Sequence, residues 1–390
     1  MSASQSPFDD ALSALYAGDV ARLRALISAE PLLLHLRAEA TPPLGYFSGA
    51  TLLHHVAGNP GWNDMRGFGA ATVAIAAALL DGGADPEATT LGPPASTTMG
   101  LVLTSRQASL ADLSGALIDV LRGHGATLDL ATPGVLDAPL SNHAPQAARA
   151  MIALGAPVDL CAAAALGDLA RVEAAFDGRG QLLERIWRYG CELPAREAIG
   201  LALLFAYVNR QLHIVDALFE RDGDWNAIGV LNGTALHRAA WAGDLDMVQR
   251  LVARGADPSD RRNPYTATAF GWAVHNRQTA IADWLRAMGL VDLHDAVAHD
   301  MTDDVEARLR DDPEAANLRR DHWNIPAGTP LHWAAARNRP LIARILLANG
   351  ADPNALDGRG RTPLDYAAEQ DATAVAAILA RHGGQRSAAP

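Results

Sequence analysis

The chain has 390 residues, of which 49% are hydrophobic, and its 44 acidic residues outnumber its 32 basic residues to give a net charge of −12. Every basic residue is an arginine, which excludes the enzyme classes that depend on a lysine, among them P-loop nucleotide hydrolases, protein kinases and Schiff-base enzymes. A negative surface repels nucleic-acid phosphates and anionic lipid headgroups, so we expect neither nucleic acid nor a membrane as a partner.

The cysteine content and the N-terminus indicate a cytoplasmic protein. Cys161 and Cys191 are the two cysteines, and their spacing fits neither a metal site nor a redox motif. The first seven residues are polar and lack the apolar core of a signal peptide, and no apolar run of about 18 residues occurs. The alanine-rich, lysine-free composition is typical of a GC-rich bacterial genome.

Paired helices are predicted from Phe8 onward. In the first pair, Gly18 ends one helix and Asp19 is placed to cap the next. A second unit begins at Thr51 and contains an insertion at about 58–69, which is longer than most connections between paired helices. Less regular units follow as far as residue 177. We predict degenerate repeats over 1–177 and an irregular connecting segment over 178–195, where the pattern is weakest.

The repeat pattern is strongest in the C-terminal half. Thr234 and Thr268 lie 34 positions apart, and Thr329 and Thr362 lie 33 positions apart. Each threonine can cap the first N–H groups of a helix, and two of them precede a proline at the first helical position, where a missing N–H is harmless. A second helix with apolar residues at i, i+3 and i+4 follows each first helix. We predict repeats over 196–384 and a disordered tail over 385–390.

These units resemble ankyrin repeats. The run Thr329-Pro330-Leu331-His332-Trp333-Ala334 matches the T-P-L-H-x-A signature of that family, and the spacing matches its period of about 33 residues. The resemblance covers about 8–384 and implies an all-α fold, an ankyrin-repeat solenoid of about eleven stacked helix-turn-helix units with hairpin or loop fingers. It also implies that the histidine of each signature has a structural role, at His54, His237 and His332.

The same resemblance suggests where a partner would bind. In the family's pattern, the positions after the paired alanines face a concave groove, and here they include Trp241, His275, Asn276 and Arg337. Exposed aromatic and arginine residues are the usual anchors of protein interfaces, and the predicted fingers carry a second set of them. The predicted finger residues are Arg262, Tyr265, Trp323, Asn324, Arg359 and Arg361. The alternative for this surface is a solvated face with incidental aromatic residues.

The sequence therefore predicts a non-enzymatic, monomeric scaffold for protein–protein interaction, with an unidentified protein partner. No nucleophile elbow, H-E-x-x-H motif or zinc-type cysteine spacing occurs, so we expect no catalytic residue, cofactor or metal. The alternative is a small-molecule binding protein or enzyme with a pocket under the 58–69 insertion. That pocket would be lined by His55, Asn59, Trp62, Thr104 and Ser105.

Overall fold

Threonine caps mark where the helices of the C-terminal repeats begin. The computed structural model describes residues 6–40, 42–58, 69–229, 233–321 and 324–387. Thr234 precedes a helix that begins at Ala235, and its hydroxyl oxygen accepts a hydrogen bond from the backbone N–H of His237. The threonines at 268, 329 and 362 stand in the same way before helices that begin at 269, 330 and 363. The predicted helix starts are confirmed at all four positions.

The chain divides into two compact units, of which the first spans Met1–Asp224. Its described helices are mostly short and paired, and two 3₁₀ helices, Pro31–Leu34 and Leu52–Ala57, lie among them. The α-helices are α1 (Pro7–Tyr16), α2 (Val20–Ala29), α3 (Ala70–Asp81), α4 (Thr98–Leu103), α5 (Arg106–Leu110), α6 (Ser114–Gly123), α7 (Asp137–Ser141), α8 (Pro145–Ala153), α9 (Leu160–Leu166), α10 (Leu169–Ala174), α11 (Ala195–Val208) and α12 (Leu212–Phe219).

A short antiparallel hairpin interrupts the helices of the first unit. Strand β1 (Trp187–Arg188) pairs with β2 (Cys191–Glu192), with Trp187 opposite Glu192 and Arg188 opposite Cys191. The hairpin lies within 178–195, which the sequence predicts to be irregular and without strands. The all-α prediction is confirmed for the rest of the described chain, apart from isolated bridges between single residues.

Arg188 fixes this hairpin to the helices beside it. Its buried guanidinium donates two hydrogen bonds to the carboxylate of Asp137 on α7, at 2.6 and 2.9 Å, and lies 2.8 Å from a carboxylate oxygen of Asp159, which caps α9. Gly134 leaves room for it, because a Cβ at that position would lie 2.8 Å from Cδ of Arg188. The hairpin is therefore held by a buried ion network and not only by its own backbone pairing.

The second unit spans Trp225–Pro390 and consists of five helix pairs within the described residues. In each pair a short first helix precedes a second helix of eight to ten residues or so. They are α13 (Ala235–Ala242) with α14 (Leu245–Ala253), α15 (Ala269–His275) with α16 (Thr279–Ala287), α17 (Leu293–Ala298) with α18 (Thr302–Asp311), α19 (Pro330–Ala336) with α20 (Pro340–Ala348), and α21 (Pro363–Glu369) with α22 (Thr373–Arg381). A 3₁₀ helix at Pro313–Asn317 follows α18.

Neighbouring pairs of the second unit bury one another's apolar stripes. On α20, Ile342 and Leu346 are fully buried, and on α22 so are Val375 and Leu379. The two second helices contact each other, as do the first helices α19 and α21. Since each stripe is covered by a neighbouring pair, a single pair has no core of its own, as the sequence predicts. The total of about eleven units stays a prediction.

Two domain predictions can be compared with the described residues. The division between the units falls after Asp224, so 178–195 lies inside the first unit, and the predicted repeat boundaries around it stay predictions. The predicted disordered tail differs at its start, because the carbonyl of Gln385 accepts a hydrogen bond from Thr362 and the N–H of Ser387 donates one to Asp365. Residues 388–390 lie outside the described residues.

Within the described ranges, none of the helices combines enough length with enough apolar character to traverse a bilayer.

The signature histidines connect each helix start to the finger that follows it. Nδ1 of His54, His237 and His332 accepts the backbone N–H of the capping threonine, at 3.0, 3.2 and 3.1 Å. The proton of the neutral ring therefore lies on Nε2, which donates to a carbonyl of the next finger at 3.0 Å in each case. Burial lowers the pKa of all three imidazoles. The predicted structural role of these histidines is confirmed.

This network makes folding stability depend on pH. Because the pKa of His332 is lower in the folded chain than its usual value of about 6.5, the unfolded chain binds the proton more readily. The stabilisation is fully present above pH 6.5 and is lost as the pH falls below it. We expect the urea midpoint to fall between pH 7 and pH 5, and to fall less steeply in His332→Asn, which keeps an acceptor and a donor but does not titrate. An equal slope in both proteins would contradict the assignment.

Candidate functional site

Four aromatic rings of the second unit form one group, which we call the tryptophan cluster: Trp241, Tyr265, Trp272 and His275. Trp272 on α15 is buried and lies at the centre, with the Trp241 ring 5.7 Å away at 76° and the Tyr265 ring 6.1 Å away at 70°. His275 stacks on Trp241 at 5.6 Å and 24°. Trp241 and Tyr265 remain 41% and 63% exposed, so the cluster presents two large side chains to its surroundings.

Three predicted groove residues, Trp241, His275 and Asn276, thus lie close to one predicted finger residue, Tyr265. The Asn276 amide donates to the carbonyl of Trp241 at 2.6 Å, which fixes the end of α13 against the end of α15. Trp272 has an indole N–H that is buried and forms no hydrogen bond with any described residue. The guanidinium of Arg238 lies 5.8 Å from the Trp272 ring, within the range of a cation–π contact. Trp272 is not among the site residues predicted from the sequence, although it lies at the centre of the cluster.

Arg262 does not contribute a mobile cation to this surface. Its guanidinium donates to the buried carboxylate of Asp260 at 2.6 Å and to the carbonyl of Asn226 at 2.9 Å. These contacts hold the finger that carries Tyr265. We therefore assign Arg262 a positioning role within this surface, and its contact with a partner stays a prediction.

Three aromatic side chains of the second unit form a row in the repeat pattern, each four positions after a capping threonine. Trp272, Trp333 and Tyr366 occupy this position, and arginines lie over two of these rings, with Arg261 5.5 Å from Trp333 and Arg361 4.1 Å from Tyr366. The fixed offset from the capping threonine is a sequence signal that could have identified the row. The arginines come from the fingers, at distances along the chain that no local pattern shows.

Arg261 belongs to a buried ion network. Its guanidinium lies 2.7 Å from the Asp292 carboxylate and 3.1 Å from that of Asp295, while the Thr268 hydroxyl also donates to Asp295. Burial, together with the neighbouring Asp292, raises the pKa of Asp295 to about 6. Burial alone would raise the pKa of Asp292 as well, but Arg261 and His294 keep it below its usual range. Through Arg261, the network holds the beginning of the finger that carries Tyr265.

The other predicted partner-binding residues lie in two further places. Arg337 is exposed at the end of α19, near His299, and burial together with Arg337 and Arg339 lowers the pKa of His299 to about 4. The guanidinium of Arg359 donates to the carbonyl of Asn324 at 3.2 Å, and Arg361 pairs with Glu369. Trp323 lies outside the described residues. The structure therefore brings Arg359 and Asn324 together but does not place them in the tryptophan cluster.

The predicted small-molecule pocket is described only in part, since Asn59 and Trp62 lie outside the described residues. Ser105 donates to the carbonyl of Ala57 at 2.5 Å and caps α5, and Thr104 donates to the carbonyl of Gly100 at 3.0 Å. His55 lies 2.6 Å from the Tyr16 hydroxyl, and burial lowers its pKa to about 4. The two hydroxyls thus have structural partners, and a pocket at His55 stays a prediction.

No group of three or more histidine, cysteine, aspartate or glutamate side chains within the described part of the chain has the arrangement of a metal site.

Comparison with known proteins places repeats where the caps are found. A family model described as ankyrin repeats in three copies matches residues 202–291, and one described as ankyrin repeats in many copies matches residues 309–367. The rat (Rattus norvegicus) NF-kappa-B inhibitor alpha is 39% identical over 90 residues, which is 22% of this chain and 27% of the relative. Human (Homo sapiens) neurogenic locus notch homolog protein 4 is 53% identical over 53 residues, covering 14% of this chain and 3% of the relative.

These curated matches span about a quarter or less of the relatives' own length. Among solved structures, a chain of the complex between a predatory endopeptidase from Bdellovibrio bacteriovorus and its immunity protein shows 23% identity, with a TM-score of 0.31. The match covers 47% of this chain and 97% of that one, and at this score it carries no argument. Both family models lie over threonine-capped helix pairs, and on this evidence the stretches 202–291 and 309–367 of the chain are ankyrin repeats.

Proposed function

We propose that this chain is a non-enzymatic protein-interaction scaffold and that its partner binds at the tryptophan cluster of the second unit. The observation that carries the proposal is the exposure of Trp241 and Tyr265 on either side of a buried tryptophan. Aromatic residues held in this way are the residues that most often dominate the binding free energy of protein interfaces. Cytoplasmic location and a monomeric state stay predictions.

The cluster is arranged to bind without large rearrangement. Trp241 is held by the stacked His275 ring, and the finger of Tyr265 is held by Arg261 and Arg262. Side chains that are already ordered lose little conformational entropy on binding, which favours affinity.

The comparisons support the class of function and not the partner. One relative, NF-kappa-B inhibitor alpha, is by its name an inhibitor of another protein. A binding role for this chain is consistent with that name and with the repeat architecture, whose exposed edges recur at a fixed spacing. The identity of the partner is not part of the proposal.

Changing Trp241 and Tyr265 together to alanine should weaken partner binding by about 10-fold or more, since loss of two aromatic anchors commonly costs more than 1 kcal/mol each. The measurement is quantitative co-purification from the native host, followed by calorimetric titration of the purified partner. Met288→Ala is the matched control, because Met288 is also large, apolar and exposed in this unit but lies outside the cluster. Retention of every partner by the double variant would exclude this surface.

A further inference from the structure

The hairpin of the first unit presents aromatic side chains outward while its other face is buried. Along β1 and its approach, Ile186 and Arg188 are buried, whereas Trp187 is 38% exposed and Tyr189 is 77% exposed. Successive side chains of an extended strand point to opposite faces, so Trp187 lies on the face opposite to Ile186 and Arg188, and Tyr189 is exposed at the turn that follows. The inner side chains attach the hairpin to the unit and leave the outer ones available.

Tyr189 occupies a backbone conformation that its side chain does not favour. It forms the turn between Arg188 and Cys191 together with Gly190, and the two residues have φ values of 54° and 77°. Two-residue turns of this kind strongly prefer asparagine or glycine at the first position, since a bulky residue at positive φ is strained. An exposed tyrosine at this position contributes nothing to the buried core, so its presence is better explained by a contact outside the chain.

The charges around the hairpin are not balanced. Three guanidiniums, those of Arg171, Arg185 and Arg188, lie among four carboxylates. The carboxylates belong to Asp137, Asp159, Glu184 and Glu192. Burial raises the pKa of Glu184 and the neighbouring Asp159 adds to this, while Arg171 and Arg188 act in the opposite direction. The first unit as a whole contains 24 acidic residues and 14 arginines.

We propose that this hairpin, residues 183–193, is a docking element for a basic segment of a partner protein, with arginine or lysine side chains lying over the Trp187 and Tyr189 rings. The guanidinium of Arg185 already lies 5.4 Å from the Trp187 ring, so the ring accepts a cation in this geometry. Glu184 lies beside the hairpin, and the excess of carboxylates in the first unit supplies the opposite charge. A second copy of this chain is a poorer occupant, because its first unit is equally acidic and would be repelled.

The test uses the full chain and a fluorescein-labelled octa-arginine peptide, with octaglutamate as the peptide control. We expect the double variant Trp187→Ala, Tyr189→Gly to bind octa-arginine about 5- to 30-fold more weakly than the wild type, the range expected for loss of two exposed cation–π contacts. Fluorescence anisotropy at two salt concentrations measures the affinity. Glycine suits the positive φ at 189, and circular dichroism checks that the variant is folded.

Leu110→Ala is the matched control, because it removes a large, exposed side chain from the same unit outside the hairpin. Unchanged affinity in that variant, together with weaker binding in the hairpin variant, supports the proposal. Equal affinity of all three proteins would show diffuse attraction to an acidic surface and overturn it, as would comparable binding of octaglutamate or no binding of octa-arginine to the wild type. None of these outcomes bears on the tryptophan cluster, so the two proposals fail separately.

Discussion

Replacing Arg188 by alanine should destabilise the chain by about 3–5 kcal/mol, the largest effect that we expect from a single substitution. The change removes the cation shared by Asp137 and Asp159, and leaves the buried carboxylate of Asp137 without its partner beside the partly exposed carboxylate of Asp159. A buried charge without its partner is far more costly than the original pair is favourable. Urea unfolding followed by circular dichroism gives the difference in the free energy of unfolding.

Arg185→Ala is the control for this experiment. Arg185 is three residues away and pairs with Glu192, but its side chain is exposed. An ion pair at the surface usually contributes less than about 1 kcal/mol, so this variant should unfold almost as the wild type does. If Arg188→Ala were as mild as Arg185→Ala, the buried network would not be what fixes the hairpin.

Leu346→Ala should cost about 2–5 kcal/mol, because it removes a fully buried side chain from the contact between α20 and its neighbours. The cost contains the lost transfer free energy and a term for the cavity that remains. The same denaturation experiment measures it. The result also tests the stacking of the second unit, because α20 contacts the second helices of both neighbouring pairs, α18 and α22.

Leu341 offers a matched control on the same helix. It is 55% exposed, and its change to alanine keeps the helix propensity high while removing little buried area. We expect an effect below about 0.5 kcal/mol. A loss below about 1 kcal/mol for Leu346→Ala would contradict the placement of this side chain in the core.

The helix starts of the second unit could be predicted because their cause is local. A threonine, the residues that follow it and the return of the pattern after about 33 positions contain all the information that the cap requires. The histidine of the signature is equally local, since it bonds to the threonine three residues earlier. For the same reason, the predicted groove residues Trp241, His275 and Asn276 do lie beside one another.

Helical periodicity in the sequence does not predict the hairpin. Ile186, Trp187, Arg188 and Tyr189 alternate between buried and exposed, and Gly190 follows them, which is a strand-and-turn signal only when a period of two is sought. Its anchor could not be predicted at all. Asp137 and Asp159 lie 51 and 29 positions before Arg188, and no local pattern links residues so far apart.

The tryptophan cluster likewise contains residues that the local sequence pattern predicts and one that depends on distant residues. Its members on the helices follow from the repeat, whereas the finger that brings Tyr265 to Trp272 is placed by Arg261 and two aspartates of the next helix pair. Arg262 is exposed, as its residue type suggests, but its partners within the chain cannot be predicted from a local pattern. The structure shows that its hydrogen bonds are directed to Asp260 and Asn226.

The bonds of His237 have a consequence for how such a chain can diversify. Nε2 of this histidine lies 3.0 Å from the carbonyl of Asp260 and 3.0 Å from that of Ala267, which are the entry and the exit of one finger. Both bonds are to main-chain atoms, so they do not depend on which side chains the loop carries. Because the side chains of Arg261, Arg262 and Asn263 also hold the finger, the positions open to change are 264–266, and new side chains could be introduced there without redesigning the helices.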